Sequence, residues 1–273
     1  MSKLLLAMGL IALVWGESAT AAYQDEVLAD NPVAYYRFEE TTGTTAIDTS
    51  GNGNDGTYNN GVTLGATSAP ALGRAGGFDG VDDFVSTART VSTDFTLEMW
   101  VISTAPSLTG TDSYEGNGLL WSDVGGGAND FTMAILNNGL SFFAGDSGST
   151  VTSANAINDG RWHHLVVTRA MGGSTQIYVD GIVRGTMPSG NSPLDANPAI
   201  MIGGNVLDNR YFNGLVDEVA YYPSVLSAAR IQAHFLAGSA PAASVPVMSE
   251  EAMAGLIAAL AMFGMLALGR RSR

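Results

Sequence analysis

The chain has 273 residues, 26 acidic against 12 basic, no cysteine, and a formal net charge of −14. This acidic balance excludes a nucleic-acid binder, because phosphate recognition needs a basic footprint. Without cysteine there is neither a disulfide framework nor thiol chemistry, so the fold must be held by its own core.

Lys3 precedes an apolar run from Leu4 to Trp15, and small residues follow at Ala19, Ala21 and Ala22. This is the pattern of a secretory signal peptide, residues 1–22, with a cut expected near Ala21 or Ala22. The run is too short for a membrane span, which needs about 20 apolar residues. Residues 23–239 form the expected folded domain. They hold 23 acidic and eight basic residues and no lysine. That length suits one large β-sandwich with a full core.

Residues 23–30 read as an irregular lead-in, and Asn31–Glu40 as the first strand. Asp48-Thr49-Ser50-Gly51-Asn52-Gly53-Asn54 is a polar loop whose glycines permit tight turns. Val62–Leu64 is a weak strand, and Gly76–Val85 a strand, a tight turn and the next strand. Phe95–Val101 alternates, with Phe95, Leu97, Met99 and Val101 on one face and Thr96, Glu98 and Trp100 on the other. After a polar loop at 107–118, strands are expected at Leu119–Ser122, Phe131–Leu136 and Leu140–Ala144, separated by glycine-rich turns. Trp162 to Arg169 is apolar on both faces and belongs inside a sheet. Ser174–Val179 follows, and Asp180-Gly181 signals a two-residue hairpin turn with both φ angles positive. Ala199–Gly204 and Phe212–Tyr222 are the last strands. Ser227 caps a helix from Ala228 to Leu236.

Residues 240–251 read as a linker and sorting motif that includes Val245-Pro246 and Ser249. Ala252 to Gly269 has no charged residue, and Arg270, Arg271 and Arg273 close the chain. Residues 252–273 therefore read as a transmembrane helix with a basic tail on the cytoplasmic side, the membrane contact being 252–269. The order of motif, helix and basic tail resembles the bacterial PEP-CTERM/IPTL-CTERM sorting signals. That resemblance implies an exosortase-type sorting protease as partner. It also implies an exported protein that is first an inner membrane-anchored precursor and then reaches the cell surface or extracellular matrix. The alternative is a permanent single-span anchor.

Trp162-His163-His164-Leu165-Val166-Val167-Thr168, followed by Ile177-Tyr178-Val179-Asp180-Gly181, resembles the laminin-G-like (LamG) domains of the concanavalin A-like lectin/glucanase superfamily. Tyr35–Phe38, Phe78–Val85, Phe95–Val101, Phe212–Tyr222 and the closing helix match the same pattern in order over residues 31–238. The resemblance implies an all-β, antiparallel two-sheet jelly-roll sandwich. Many short strands with turn signals between them argue for the same class.

Candidate sites follow from residue type. His163 and His164 are adjacent on a strand, so they point to opposite faces and do not act as a pair. A glycoside hydrolase needs two carboxyls about 5–10 Å apart across the bond. No strand carries alternating acids, and Asp217-Glu218 reads as one acid on each face. The expected class is therefore non-catalytic. Calcium takes 6–8 oxygens, and the loop from Asp48 offers them through Asp48, Ser50, Asn52 and Asn54. The family resemblance implies that this loop approaches the acid of the last strand, Asp217, to form one structural Ca2+ site. These residues read equally well as turn formers. A glycan surface is expected from Tyr114, Glu115 and Asn117, and from the group Asn205, Asp208, Asn209, Arg210 and Tyr211. The functional expectation is an exported module that binds carbohydrate or extracellular matrix polymer. Two alternatives are a structural or protein-interaction component of an exopolysaccharide matrix, and a diverged glycoside hydrolase or lyase.

Overall fold

A computed structural model describes residues 19–69, 71–126 and 129–240, with side chains from Tyr23 onward. The expected leader up to residue 18, and the sorting motif, apolar span and basic tail beyond 240, lie outside these residues. Among the described residues no helix is long and apolar enough to cross a membrane.

Alternating apolar side chains build two eight-stranded antiparallel sheets, packed as a sandwich. The first sheet runs Ile182–Pro188, Ser174–Val179, His163–Arg169, Phe95–Ile102, Asn213–Tyr222, Arg74–Asp79, Thr63–Thr67, and Ala34–Tyr36 also pairs with Asn213–Tyr222. The second runs Ser149–Thr152, Gly139–Ala144, Phe131–Leu136, Asn117–Ser122, Ala199–Ile202, Phe84–Ala88, Gly56–Asn59, Thr45–Ala46. Phe95, Leu97, Met99, Leu165 and Val167 of the first sheet share one core with Phe131, Met133, Leu140 and Phe142 of the second. The hairpin turn at Asp180 and Gly181 has φ of 54° and 74°. His163–Arg169 lies between two neighbours, as its two apolar faces require.

The outer face of the first sheet also carries apolar groups, and two helices cover it. These are α1 (Ala19–Ala29) and α2 (Ala228–Ser239). Helix α1 replaces the expected irregular lead-in. Tyr23 and Val27, four residues apart, fall on one helix face. Both are fully buried against Tyr35, Trp100, Val166 and Tyr222. Two anchors are too few to register as a helical period in the sequence. The first strand is shorter than expected, Ala34–Tyr36. Phe38 takes φ 53°, which ends the extended backbone.

Glu98 points from the centre of the first sheet into this second core and is fully buried. Its carboxylate accepts hydrogen bonds from Tyr23 of α1 (2.9 Å), Tyr222 (2.7 Å), His164 (2.7 Å) and His234 of α2 (3.0 Å). The other nitrogen of His234 donates to Asp30 at 3.0 Å. An imidazole with a carboxylate on each nitrogen is held as the cation. Burial pushes the His234 imidazolium down, but the charge and hydrogen bonds of Glu98 outweigh it and its pKa is raised. Burial likewise works against ionised Glu98, yet the two histidines hold it well below the usual carboxylate range.

The sequence reading of Asp217 and Glu218 is corrected here. Between Asp217 and Ala220 the pairing with Phe95–Ile102 slips by a bulge, with Glu218 at φ 52°. Val216 and Val219 both enter the central core. Strict alternation is broken, so both acids lie on the helix-covered face. Glu218 is bound by Tyr35 and by Arg37 at 3.2 Å; Asp217 accepts the Ser68 hydroxyl and the Glu218 amide. Burial lifts Glu218 to about 7 against the pull of Arg37. It lifts Asp217 well above the usual range, and the Glu218 charge adds to that.

The buried pair yields a prediction. His234 has a raised pKa, so its contribution is full below the ordinary imidazole value and is lost as pH rises through the raised one. Glu98 has a lowered pKa, so its contribution is full above the ordinary carboxyl value and is lost as pH falls through the lowered one. Stability should therefore peak in mildly acidic solution. His234→Gln should cost about 3–5 kcal/mol there, the cost of breaking a buried pair, and should flatten the alkaline decline. Urea unfolding between pH 4 and 9 measures both.

Candidate functional site

Seen from outside the sandwich, the second sheet has an open cavity of about 360 Å3, lined by Tyr114, Asp123, Asp130, Thr132, Phe143 and Asp208. Strand alternation aims two of these groups. Phe131, Met133, Phe142 and Ala144 enter the core, so Thr132 and Phe143 face outward as direct partners in the ladder. Asp123 follows the Asn117–Ser122 strand and Asp130 precedes Phe131–Leu136, so two adjacent strand ends bring both acids to one rim. Asp130 sits against Gly145, where a Cβ would stand 2.2 Å from Asp130 Oδ1. Only glycine leaves room for that carboxylate.

Tyr114 stands on the opposite rim, on the short 3-10 turn Ser113–Glu115. Its ring meets Phe143 edge-on, with centroids 5.4 Å apart at 90°. Its hydroxyl donates to Asp112 at 3.0 Å. The two groups expected from sequence meet here. Arg210 donates to the Tyr114 carbonyl, and Asn117 Nδ2 donates to the Tyr211 carbonyl at 3.4 Å. Their roles divide. Tyr114 and Asp208 line the cavity. Glu115 accepts the amides of Thr111 (2.6 Å) and Asp112 (3.0 Å) and caps its own turn. Asn117 Oδ1 accepts the Leu108 amide, and Tyr211 is buried against Gly204. Asn209, exposed with φ 52°, forms the turn beside Asp208.

Asp123, Asp130, Thr132 and Phe143 escaped the sequence reading. One signal was present for Phe143. Phe142 and Phe143 are neighbours on a strand, so one of them must leave the core. The two aspartates flank a glycine-rich loop and gain meaning only when the strands pair.

The electrostatics are unusual. Burial pushes Asp123 up to about 7, with the adjacent Asp130 carboxylate and then Asp208 adding to it. The Asn205 amide partly relieves this, donating to Asp208 (2.8 Å) and Asp123 (3.4 Å). Asp130 Oδ1 and Thr132 Oγ1 are buried without a hydrogen-bond partner. Among the described residues no basic side chain lines the cavity.

Glu98, Asp217 and Glu218 share one face but are all fully buried beneath the helices. His163 bonds Asp159 and Asp180, while His164 bonds Glu98. A further concavity of about 390 Å3, between Trp162, Trp100, Phe235 and Gly238, is mostly apolar.

Residues 76–232, more than half of the chain, match Laminin_G_3, described as the concanavalin A-like lectin/glucanases superfamily. The chain belongs to this family. All six side chains that line the cavity fall within the matched span of this Laminin_G_3 domain. No curated relative matches in sequence. Among solved structures it is similar to domain 4 of AbnA, a GH43 extracellular arabinanase from Geobacillus stearothermophilus, in complex with arabinotriose. That match has TM-score 0.54 and 20% identity, and covers 75% of this chain and 98% of the other. It is also similar to the binding domain of Paraclostridial Mosquitocidal Protein 1 (TM-score 0.58, 17% identity, 76% and 52% covered). A third is the binding domain of Botulinum neurotoxin DC in complex with rat synaptotagmin II (TM-score 0.58, 15% identity, 77% and 52% covered). The chain spans about half the length of these last two domains. At such identities the likeness is one of fold.

The loop proposed for calcium lies outside the matched span, except for Asp217. Asp48 accepts the amides of Tyr35, Ser50 and Asn54 at 2.8–2.9 Å, and these bonds overcome burial to lower its pKa. Three of its four lone-pair sites are thus filled. Ser50, Asn52 and Asn54 donate to the carbonyls of Pro32 or Val33. Asp217 bonds Ser68 and the Glu218 amide, away from this loop. These groups do not converge on a common ion. Among the described residues, three acids approach closely enough for one cation at Asp79, Asp82 and Asp83. They sit in the turn before Phe84, where Asp79 and Asp83 bond backbone amides.

A raised carboxyl pKa stabilises the fold fully below the ordinary value and loses that contribution as pH rises through the raised one. Asp123→Asn should therefore raise Tm relative to the parent at pH 8 and leave it nearly unchanged at pH 4. Scanning calorimetry at the two values checks this.

Proposed function

We propose that this domain is a non-catalytic carbohydrate-binding module that takes a sugar unit in the Tyr114–Phe143 cavity. One observation carries the reading. Two aromatic rings, Tyr114 and Phe143, and several hydrogen-bonding groups converge on one open cavity on the outer face of the second sheet. Sugar rings offer apolar C–H faces for aromatic contact and hydroxyls for carboxylates and amides, which is the lining of a ligand site. The volume suits one or two sugar residues. AbnA domain 4, similar in fold, was solved with arabinotriose, which supports the class of ligand but not its identity.

The reading includes location. With the leader and sorting pattern expected from sequence, the module is exported, is handled by an exosortase-type protease, and displays the cavity to glycan or matrix polymer at the cell surface. A second reading, a protein-binding module of the matrix, is favoured by the fold likeness to a toxin domain solved with synaptotagmin II. Catalysis by the acids of the first sheet is disfavoured because Glu98, Asp217 and Glu218 are all fully buried and hydrogen-bonded within the protein.

A glycan array probed with the full chain tests the proposal. Saturable binding is expected, and Phe143→Ala or Tyr114→Ala should weaken it at least about five-fold, the scale for truncating an aromatic anchor. Both variants should keep the parent circular dichroism. A blank array with folded protein would instead send the search to protein partners.

A further inference from the structure

The cavity is acidic in a particular way. Asp123, Asp130 and Asp208 line it, and the polar side chain that bridges two of them is neutral Asn205. The domain has eight arginines and no lysine. Arg210, on the nearby turn, is directed to the Tyr114 carbonyl. Arg37, Arg161, Arg169 and Arg230 pair with other acids. Glu98, buried on the other sheet, is given four donors. Here Asp130, only 4% exposed, has one long bond to Oδ2 from the Val124 amide (3.4 Å) and keeps Oδ1 without a partner, and the hydroxyl of Thr132, 1% exposed, also has none. Buried polar atoms without partners are exceptions that call for a ligand, an ion or a water.

A metal ion is the first alternative. The three cavity acids are not among the described groups whose oxygens approach closely enough to share one cation. The cavity is also lined by aromatic rings, with Tyr114 and Phe143 edge-to-face. Calcium wants oxygens on all sides, whereas an organic cation is held well between carboxylates and ring faces.

The geometry points to a sugar bearing a free amine as the ligand of this cavity, its ammonium on the Asp123–Asp130–Asp208 wall and its ring against Tyr114 and Phe143. This inference rests on the carbohydrate reading and narrows it. The ammonium supplies donors that the wall lacks, and its charge offsets the repulsion between the acids. The same wall repels uronic and sialic acids, so the cavity discriminates by charge.

The test is titration calorimetry of the full chain at 150 mM salt with tetraglucosamine and with the N-acetylated tetramer of equal length. Tetraglucosamine should bind at least about ten-fold tighter, a difference of about 1.4 kcal/mol. Asp208→Asn removes an exposed acid and should not disturb folding. It should cut that ratio about three-fold. Three outcomes overturn the inference: a ratio of one or less, a ratio that survives both Asp208→Asn and Asp130→Asn, or equally tight binding of tetralysine. Binding that requires 1 mM calcium overturns it in favour of a metal. If neutral glycans bind and Phe143→Ala abolishes that binding, the carbohydrate reading survives alone. If no glycan binds, both fall.

Discussion

A single carboxylate, Glu98, organises the outer half of the molecule. It sits at the middle of the first sheet, where period-2 alternation must place it once Leu97 and Met99 enter the core. Left bare, a buried charge would cost several kcal/mol. The chain surrounds it with donors from both ends of the sequence: Tyr23 from α1, His164 and Tyr222 from neighbouring strands, and His234 from α2. The apolar groups around it supply most of the burial, while the charge fixes where each helix must dock. Nonspecific collapse of α1 or α2 elsewhere would leave that carboxylate and its imidazoles unpaired.

The two outer faces solve the same problem in opposite ways. Over the first sheet, Glu98, Asp217 and Glu218 are closed off and given partners. On the second, Asp123 and Asp130 stand together at an open cavity with no cation opposite them. Stability explains the first arrangement. It does not explain the second, where burial and the neighbouring acids raise the Asp123 pKa and cost stability at neutral pH.

Much of the fold was legible in the sequence because it rests on short-range signals. Phe95–Val101 alternates cleanly, Asp180-Gly181 announces its turn, and Ser227 announces α2. What was not legible depends on distance in the chain. The helix at Tyr23 exists because the sheet has an apolar outer face, which no local pattern reports. The bulge at Glu218 reverses one side chain and depends on backbone geometry that alternation cannot show. Tyr114 and Asp208 were visible as loop residues with suitable chemistry. Asp123 and Asp130 were not, since a glycine-rich loop of six residues separates them in sequence and strand pairing alone makes them neighbours. Asp48 shows the converse: a loop composed like a cation site spends its oxygens on its own backbone.

Gly238, near the end of α2, has room for no side chain, because a Cβ there would meet Trp100 at 2.5 Å and the ring of Tyr23 at 3.0 Å. Tyr23 of α1 and the backbone at Gly238 of α2 are therefore packed together, on the face opposite the cavity. The two ends of the described domain thus lie side by side on that face. Such a module can be tethered, inserted into a host loop, or reconnected end to end with a short bridge, and its cavity stays turned outward in every case.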